Sequence, residues 1–169
     1  MHAQKIAIDF SHTSDYLAYD ILEYIEKQQL EIPIIASYSN CRSIKDVSRN
    51  LPDDLIKEIF RRKGIIGLNL FAMFVGPRAE EFFLKHCDHF LTLGGADHLC
   101  FGADFFYADD FPQLHSPDQK AFFESYEDAT CYQRLLEFFK NNLSLDESLS
   151  EKIAYKNGLY FLQNQVSSV

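Results

Sequence analysis

Positive charge is in short supply in this chain. Its 169 residues carry 16 Lys and Arg against 25 Asp and Glu, a formal net charge of −9. That balance excludes a general nucleic-acid binder and a protein drawn to anionic membranes, since both need a basic surface. No block of like charges marks a tail. Long apolar runs are missing too. The most apolar stretch, residues 65–76, is too short to span a bilayer and contains Asn69. The opening MHAQKIAIDF lacks the basic and long apolar segments of a signal peptide. The four cysteines, Cys41, Cys87, Cys100 and Cys131, are widely and irregularly spaced, with no C-x-x-C pair. This argues against a disulfide framework and for reduced thiols in a cytoplasm. Cys100 lies in an apolar run and reads as core. There is no Gly-x-Gly-x-x-Gly fingerprint, no Walker lysine and no Gly-x-Ser-x-Gly elbow.

What is present is enough apolar sequence, 47%, for one folded domain over residues 1–169. Short apolar runs alternate with longer amphipathic ones. Strands are expected at KIAIDF (5–10), IPIIAS (32–37), IIGLNL (65–70) and within HLCFGAD (98–104). A helix capped by Ser14 follows the first strand. Pro52 with Asp53 and Asp54 opens the next helix, and Gly64 is expected to end it. A third helix runs over about 78–93 to Gly94 and Gly95. A long loop holds Pro112 and Pro117; helices over about 117–126, 130–141 and 149–163 follow, the last capped by Ser148. Four strand–helix units imply parallel strands with right-handed crossovers. Their near-continuous apolar strands suggest a sheet covered on both faces. The class is α/β, either a small open sheet or half of a (β/α)8 TIM-type barrel with carboxyl-terminal helices. A full barrel needs roughly 250 residues.

Four polar residues, His12, Tyr38, Asn69 and Asp104, fall at or just past the carboxyl ends of the four strands, the edge where parallel α/β folds do chemistry. His12 is suited to metal binding or proton transfer, Asp104 to either as well. Arg49 in SRNLPDD is suited to a two-pronged grip on a carboxylate, or is a surface arginine paired with Asp46 or Asp53. Loop capping is the competing reading for all of these. His86 and His89, three apart in KHCDHF, share a helical face and suit zinc only with a third ligand. The alternative is that one packs inside while the other caps or hydrogen-bonds. Phe105, Phe106 and Tyr107 follow the last strand and are candidates to line a site mouth.

Taken in order, IDFSHTSD, IPIIASYSNCRSI, SRNLPDDLIKEIFRRKGIIGLNLF, HCDHFLTLGGADHLCFGADF and EKIAYKNGLYFL resemble the carboxyl-terminal half of the membrane dipeptidase (renal dipeptidase, peptidase M19) family over nearly the whole chain. The resemblance implies half of a (β/α)8 barrel and zinc-dependent hydrolysis of dipeptides at a two-zinc site on the carboxyl face. By it, His12 matches a metal ligand, Arg49 the arginine that holds the substrate carboxylate, and Asp104 the active-site aspartate. Tyr38 stands where the family places a second histidine ligand, and a neutral phenol is a poor ligand. The His-x-Asp pair and the bridging glutamate of the family's amino-terminal half have no counterpart here. The expectation is therefore of zinc binding in doubt and a chain incomplete alone, from a split or truncated gene or a wrong start site. A homodimer or a separate amino-terminal chain is expected to cover two open sheet edges. A non-catalytic remnant or interaction subunit on the same fold is the alternative.

Overall fold

The computed structural model describes residues 6–107 and 120–166. The expected proline-containing loop lies largely outside them. Four strands form one parallel sheet in sequential order: β1 (Ile8–Asp9), β2 (Ile34–Ser39), β3 (Ile66–Leu68) and β4 (Leu99–Phe101). Between them run α1 (Asp15–Lys27), α2 (Asp53–Arg61), a single turn α3 (Ala72–Val75) and α4 (Ala79–Thr92). Each expected strand–helix unit is present, and the register places Ala36, Ile66 and Leu99 side by side.

The helices cover one face of the sheet. Buried Leu55, Ile56, Ile59 and Phe60 on α2, and Phe83, His86, Cys87 and Phe90 on α4, recur at the three-to-four-residue spacing of a single helical stripe. They pack over Ile34, Ala36, Ile66, Leu68 and Leu99, all fully buried. The other face, carrying Ile35, Ser37 and Cys100, is only half-buried. Against the expectation of two covered faces, the described residues leave this second face only half-buried. Cys100 is half-buried on that face, its thiol directed at the Ile66 carbonyl.

Gly67 and Gly102 matter here. A Cβ on either would stand about 2 Å from the Ser37 carbonyl oxygen, so β2, β3 and β4 close on one another only with glycine at both places.

The ends of the elements differ in detail from expectation. Ser14 caps α1, accepting from the Leu17 amide. α2 ends through Lys63, which takes the left-handed turn (φ 59), while the Gly64 amide returns to the Ile59 carbonyl. The segment from 120 to 130 is irregular, not helical, because its groups are claimed by tertiary contacts. The Ala121 carbonyl accepts from the Ala72 amide, and Tyr126 donates to Glu80. α5 (Cys131–Leu143) follows. The last helix is α6 (Glu147–Glu151), a π-helical segment (Lys152–Lys156), α7 (Asn157–Phe161) and a second π segment (Leu162–Val166) in series. Asp146, not Ser148, caps it: the carboxylate reaches the Leu149 amide at 2.7 Å. The wider π turns keep Ile153, Asn157 and Phe161, each four residues apart, on one buried face.

The two sheet edges are unequal. At β1, Ile6 is 48% exposed and neighbouring α1 shows Leu17 and Tyr24 to solvent. At β4, the buried Asn157 amide donates to the Leu99 carbonyl (2.8 Å), which points away from β3. One of the two edges expected to be open is therefore partly capped by the chain's own last helix. Among the described residues no helix is long and apolar enough to cross a membrane. All four cysteines are free thiols.

Candidate functional site

His12, Tyr38, Asn69 and Asp104 do lie at or just beyond the carboxyl ends of the strands, as expected. His12 and Asp104 both adopt left-handed backbone (φ 62 and 64), a conformation non-glycine residues enter rarely and which clusters at functional sites. Asn69 holds the strand ends together. Its main chain and the Asn40 side chain bond reciprocally, at 3.2 and 3.1 Å, and its amide donates to Asp104 at 3.3 Å.

At the β1–β2 end the organising group is Asp9. Its carboxylate accepts from the Ser11 amide (2.9 Å), the Ser37 amide (3.0 Å) and the Ser37 hydroxyl. Ser11 Oγ in turn accepts from the Tyr38 amide at 3.0 Å. These residues were missed in the sequence reading. The one signal was an aspartate closing an otherwise apolar strand.

His12 stands between two aromatic rings, Tyr38 at 5.0 Å and Phe74 at 5.5 Å between centroids. Its Nδ1 is buried without a hydrogen-bond partner. Burial first, and then the positive charge of Arg49, hold its pKa below the usual histidine value, against the pull of Asp9. The Tyr38 phenol is pushed up by burial and by the Asp104 and Asp9 carboxylates, with Arg49 opposing. Asp104 is raised by burial and held back by the Asn69 hydrogen bond. Charges on Asp9, Arg49 and Asp104 are thus felt at Tyr38, and those on Asp9 and Arg49 at His12.

Arg49 reaches this site from the loop between β2 and α2. It is exposed and, among the described residues, in no ion pair. The expected surface pairing with Asp53 is ruled out because Asp53 is taken by His89, 3.0 Å away. The loop is firmly built. Its ends are joined by bonds from the Arg42 amide to the Leu51 carbonyl and from the Leu51 amide to the Asn40 carbonyl, both 2.9 Å. Buried Asn50 donates to the Lys45 and Phe74 carbonyls at 2.9 and 2.8 Å.

His86 anchors the same loop from beneath. It is fully buried; its Nδ1 accepts from the Cys41 amide (3.2 Å) and its Nε2 donates to the Val75 carbonyl (2.9 Å). Desolvation lowers its pKa to about 4. His89 instead faces Asp53 and Ser43. The pair on α4 thus divides into one packed and one hydrogen-bonding histidine, the alternative to a zinc pair. Phe105 and Phe106 pack into an aromatic cluster with Phe122, and the line of rings continues through Phe71 and Phe74 to His12. They back the site from inside, while Tyr107 is exposed.

The donor set does not fit a two-zinc centre. Among the described residues no group of three or more His, Cys, Asp or Glu side chains converges to hold a metal ion. The neighbouring Arg49 charge opposes a second cation.

Residues 1–167 match the sequence model of the membrane dipeptidase family, peptidase family M19. An uncharacterized Klebsiella pneumoniae protein from the pqqA 5' region is 24% identical over 97% of this chain and 56% of its own length. Dipeptidase 3 of Mus musculus is 29% identical over 67% of this chain and 22% of its own. Among solved structures, dipeptidase AC, a metallo peptidase of family M19, superimposes with TM-score 0.80 at 24% identity, over 99% of this chain and 46% of that one. A metallo peptidase from Rhodobacter sphaeroides, liganded with a phosphinate mimic of the dipeptide L-Ala-D-Ala, gives 0.77 at 24% identity, over 95% and 43%. The chain thus spans about half the length of these proteins or less, and its four-stranded sheet is the corresponding part of their fold. With the fold and the family match in agreement, this chain belongs to the membrane dipeptidase family, peptidase family M19.

Proposed function

We propose that this chain carries the substrate-gripping side of a dipeptidase site, holding the free carboxylate of a dipeptide on Arg49. The observation that carries the reading is an exposed guanidinium on a pinned loop, in no ion pair among the described residues, its charge felt at both His12 and Tyr38. A planar fork of N–H donors suits a carboxylate. Asp104, partly buried, its pKa raised by that burial and its carboxylate oriented by Asn69, is the proton-handling group in this reading. The dipeptide mimic bound to the Rhodobacter relative supports the substrate class. Hydrolysis in the family's zinc-dependent manner needs metal ligands beyond those this chain's described residues bring together. A second copy or a separate amino-terminal chain supplies them in this reading, packing on the exposed β1–α1 side. The free thiols support a cytoplasmic setting.

A second reading is favoured by Tyr38: the chain is a non-catalytic binding or interaction subunit, its metal side replaced by an aromatic ring packed on His12.

Zinc per chain on purified, dialysed protein, measured by elemental mass spectrometry, separates the two. About two zinc ions per chain supports the enzyme, completed in an assembly; near zero supports the binding subunit. Arg49→Ala is expected to weaken dipeptide binding about 10- to 100-fold, the range for losing a charge-assisted hydrogen bond of 1.5–3 kcal/mol, with little change in Tm. Unchanged affinity would sink the carboxylate assignment in both readings.

A further inference from the structure

Arg42 has no place in the site as read so far, yet it is the most heavily bonded side chain around it. Its Nη1 and Nη2 donate to the two carboxylate oxygens of Asp15, at 2.5 and 2.8 Å. Its Nε donates to the Asn50 carbonyl at 2.9 Å, and Nη2 also reaches the Ser48 carbonyl at 3.2 Å. Those two carbonyls belong to the residues immediately before and after Arg49. A single planar group therefore grips the main chain on both sides of Arg49. Its anchor, Asp15, is the first residue of α1, three residues beyond His12. The His12 loop and the Arg49 loop are locked in register through one guanidinium.

We propose that Arg42 and Asp15 form a positioning pair that sets where the Arg49 guanidinium reaches into the strand-end site. Neither touches the ligand. The inference rests on the reading of Arg49 as the carboxylate holder. Its physical basis is pre-organisation: a rigid fork bonded at four points fixes a loop that would otherwise sample many conformations, so Arg49 spends less entropy on ligand binding. Lysine keeps the charge at position 42 but cannot reproduce a planar fork with several fixed donors.

The test is calorimetric binding of L-alanyl-L-alanine and of its carboxyl-terminal amide to the full chain, with Tm and amide hydrogen exchange of residues 43–50 measured alongside. The affinity ratio of acid to amide reports the carboxylate grip alone. The unaltered chain is expected to prefer the acid, and Arg49→Ala to abolish the preference. Arg42→Lys and Asp15→Asn are each expected to cut it about tenfold, equivalent to about 1.4 kcal/mol, with faster exchange confined to the loop and amide binding unchanged. If the unaltered chain shows no preference, or Arg49→Ala retains it, the Arg49 reading fails and the positioning pair with it. If Arg49→Ala abolishes the preference while Arg42→Lys and Asp15→Asn keep it, the positioning proposal alone is overturned. Equal weakening of acid and amide alongside a fall in Tm would also overturn it, because that is what loss of folded structure does.

Discussion

The two sides of the strand-end site are built to different standards. On the Arg49 side, a dense set of bonds ties the loop down, with the Asn50 Oδ1 left buried without a partner. Arg42 makes four bonds, Asn50 donates twice, and His86 ties Cys41 to Val75 from below. On the His12 side, the imidazole is boxed by Tyr38 and Phe74, and its Nδ1 is left without a partner. Among the described residues, the first side presents an exposed cation in no ion pair and the second a buried ring nitrogen between two aromatic rings.

The sharpest way to break this comparison is to remove the support beneath the rigid side. His86→Ala leaves a cavity and strands the Cys41 amide and the Val75 carbonyl. It is expected to cost about 3 kcal/mol and lower Tm by roughly 6–12 °C. A loss under 1 kcal/mol in chemical unfolding would show that the loop does not depend on it.

The same histidine predicts an acid response. Unfolded, it takes up its proton near pH 6.5; folded, only near pH 4. Between those values the unfolded state binds more protons, so stability falls as the pH is lowered, by on the order of 3 kcal/mol across the window. Urea titrations from pH 7 to 4 should show the decline in the unaltered chain and a flatter profile in His86→Gln. Parallel profiles would assign the decline to other groups.

The smallest expected effect is on the His12 side. Two imidazoles on one tetrahedral zinc place their centroids roughly 5 Å apart, and the rings of His12 and Tyr38 are separated by 5.0 Å. Tyr38→His is therefore expected to raise zinc affinity about tenfold, read as a zinc-dependent rise in Tm absent from Tyr38→Phe. No gain would mean that the second ligand position has moved as well as changed identity.

Much of the architecture was legible because it follows from periodicity. Apolar runs at Ile34–Ser39 and Ile66–Leu68, and helical stripes on α2 and α4, recur at spacings that local geometry dictates. The strand-end positions of His12, Tyr38, Asn69 and Asp104 follow from the same pattern. Caps were less legible. Asp146 and Ser148 are both good caps, and which one serves depends on where the helix begins against the core. The partners of Arg42 and His86 could not be read at all. Each is decided by residues between 6 and 45 positions away, brought near only when the β/α units stack.

The sequence by itself determined that four parallel strand–helix units form, which polar residues stand at their carboxyl ends, and which family's motifs they carry. These are properties of short segments, set by hydrophobic spacing and turn chemistry. Only the tertiary structure decided that, among the described residues, Arg49 is in no ion pair while Asp53 is taken by His89, that one sheet face stays half-buried, and that His12 is flanked by aromatic rings with its Nδ1 unpaired. Those outcomes depend on which long-range neighbour wins each hydrogen bond and each square ångström of burial. That competition is settled only when the strands have closed around Gly67 and Gly102.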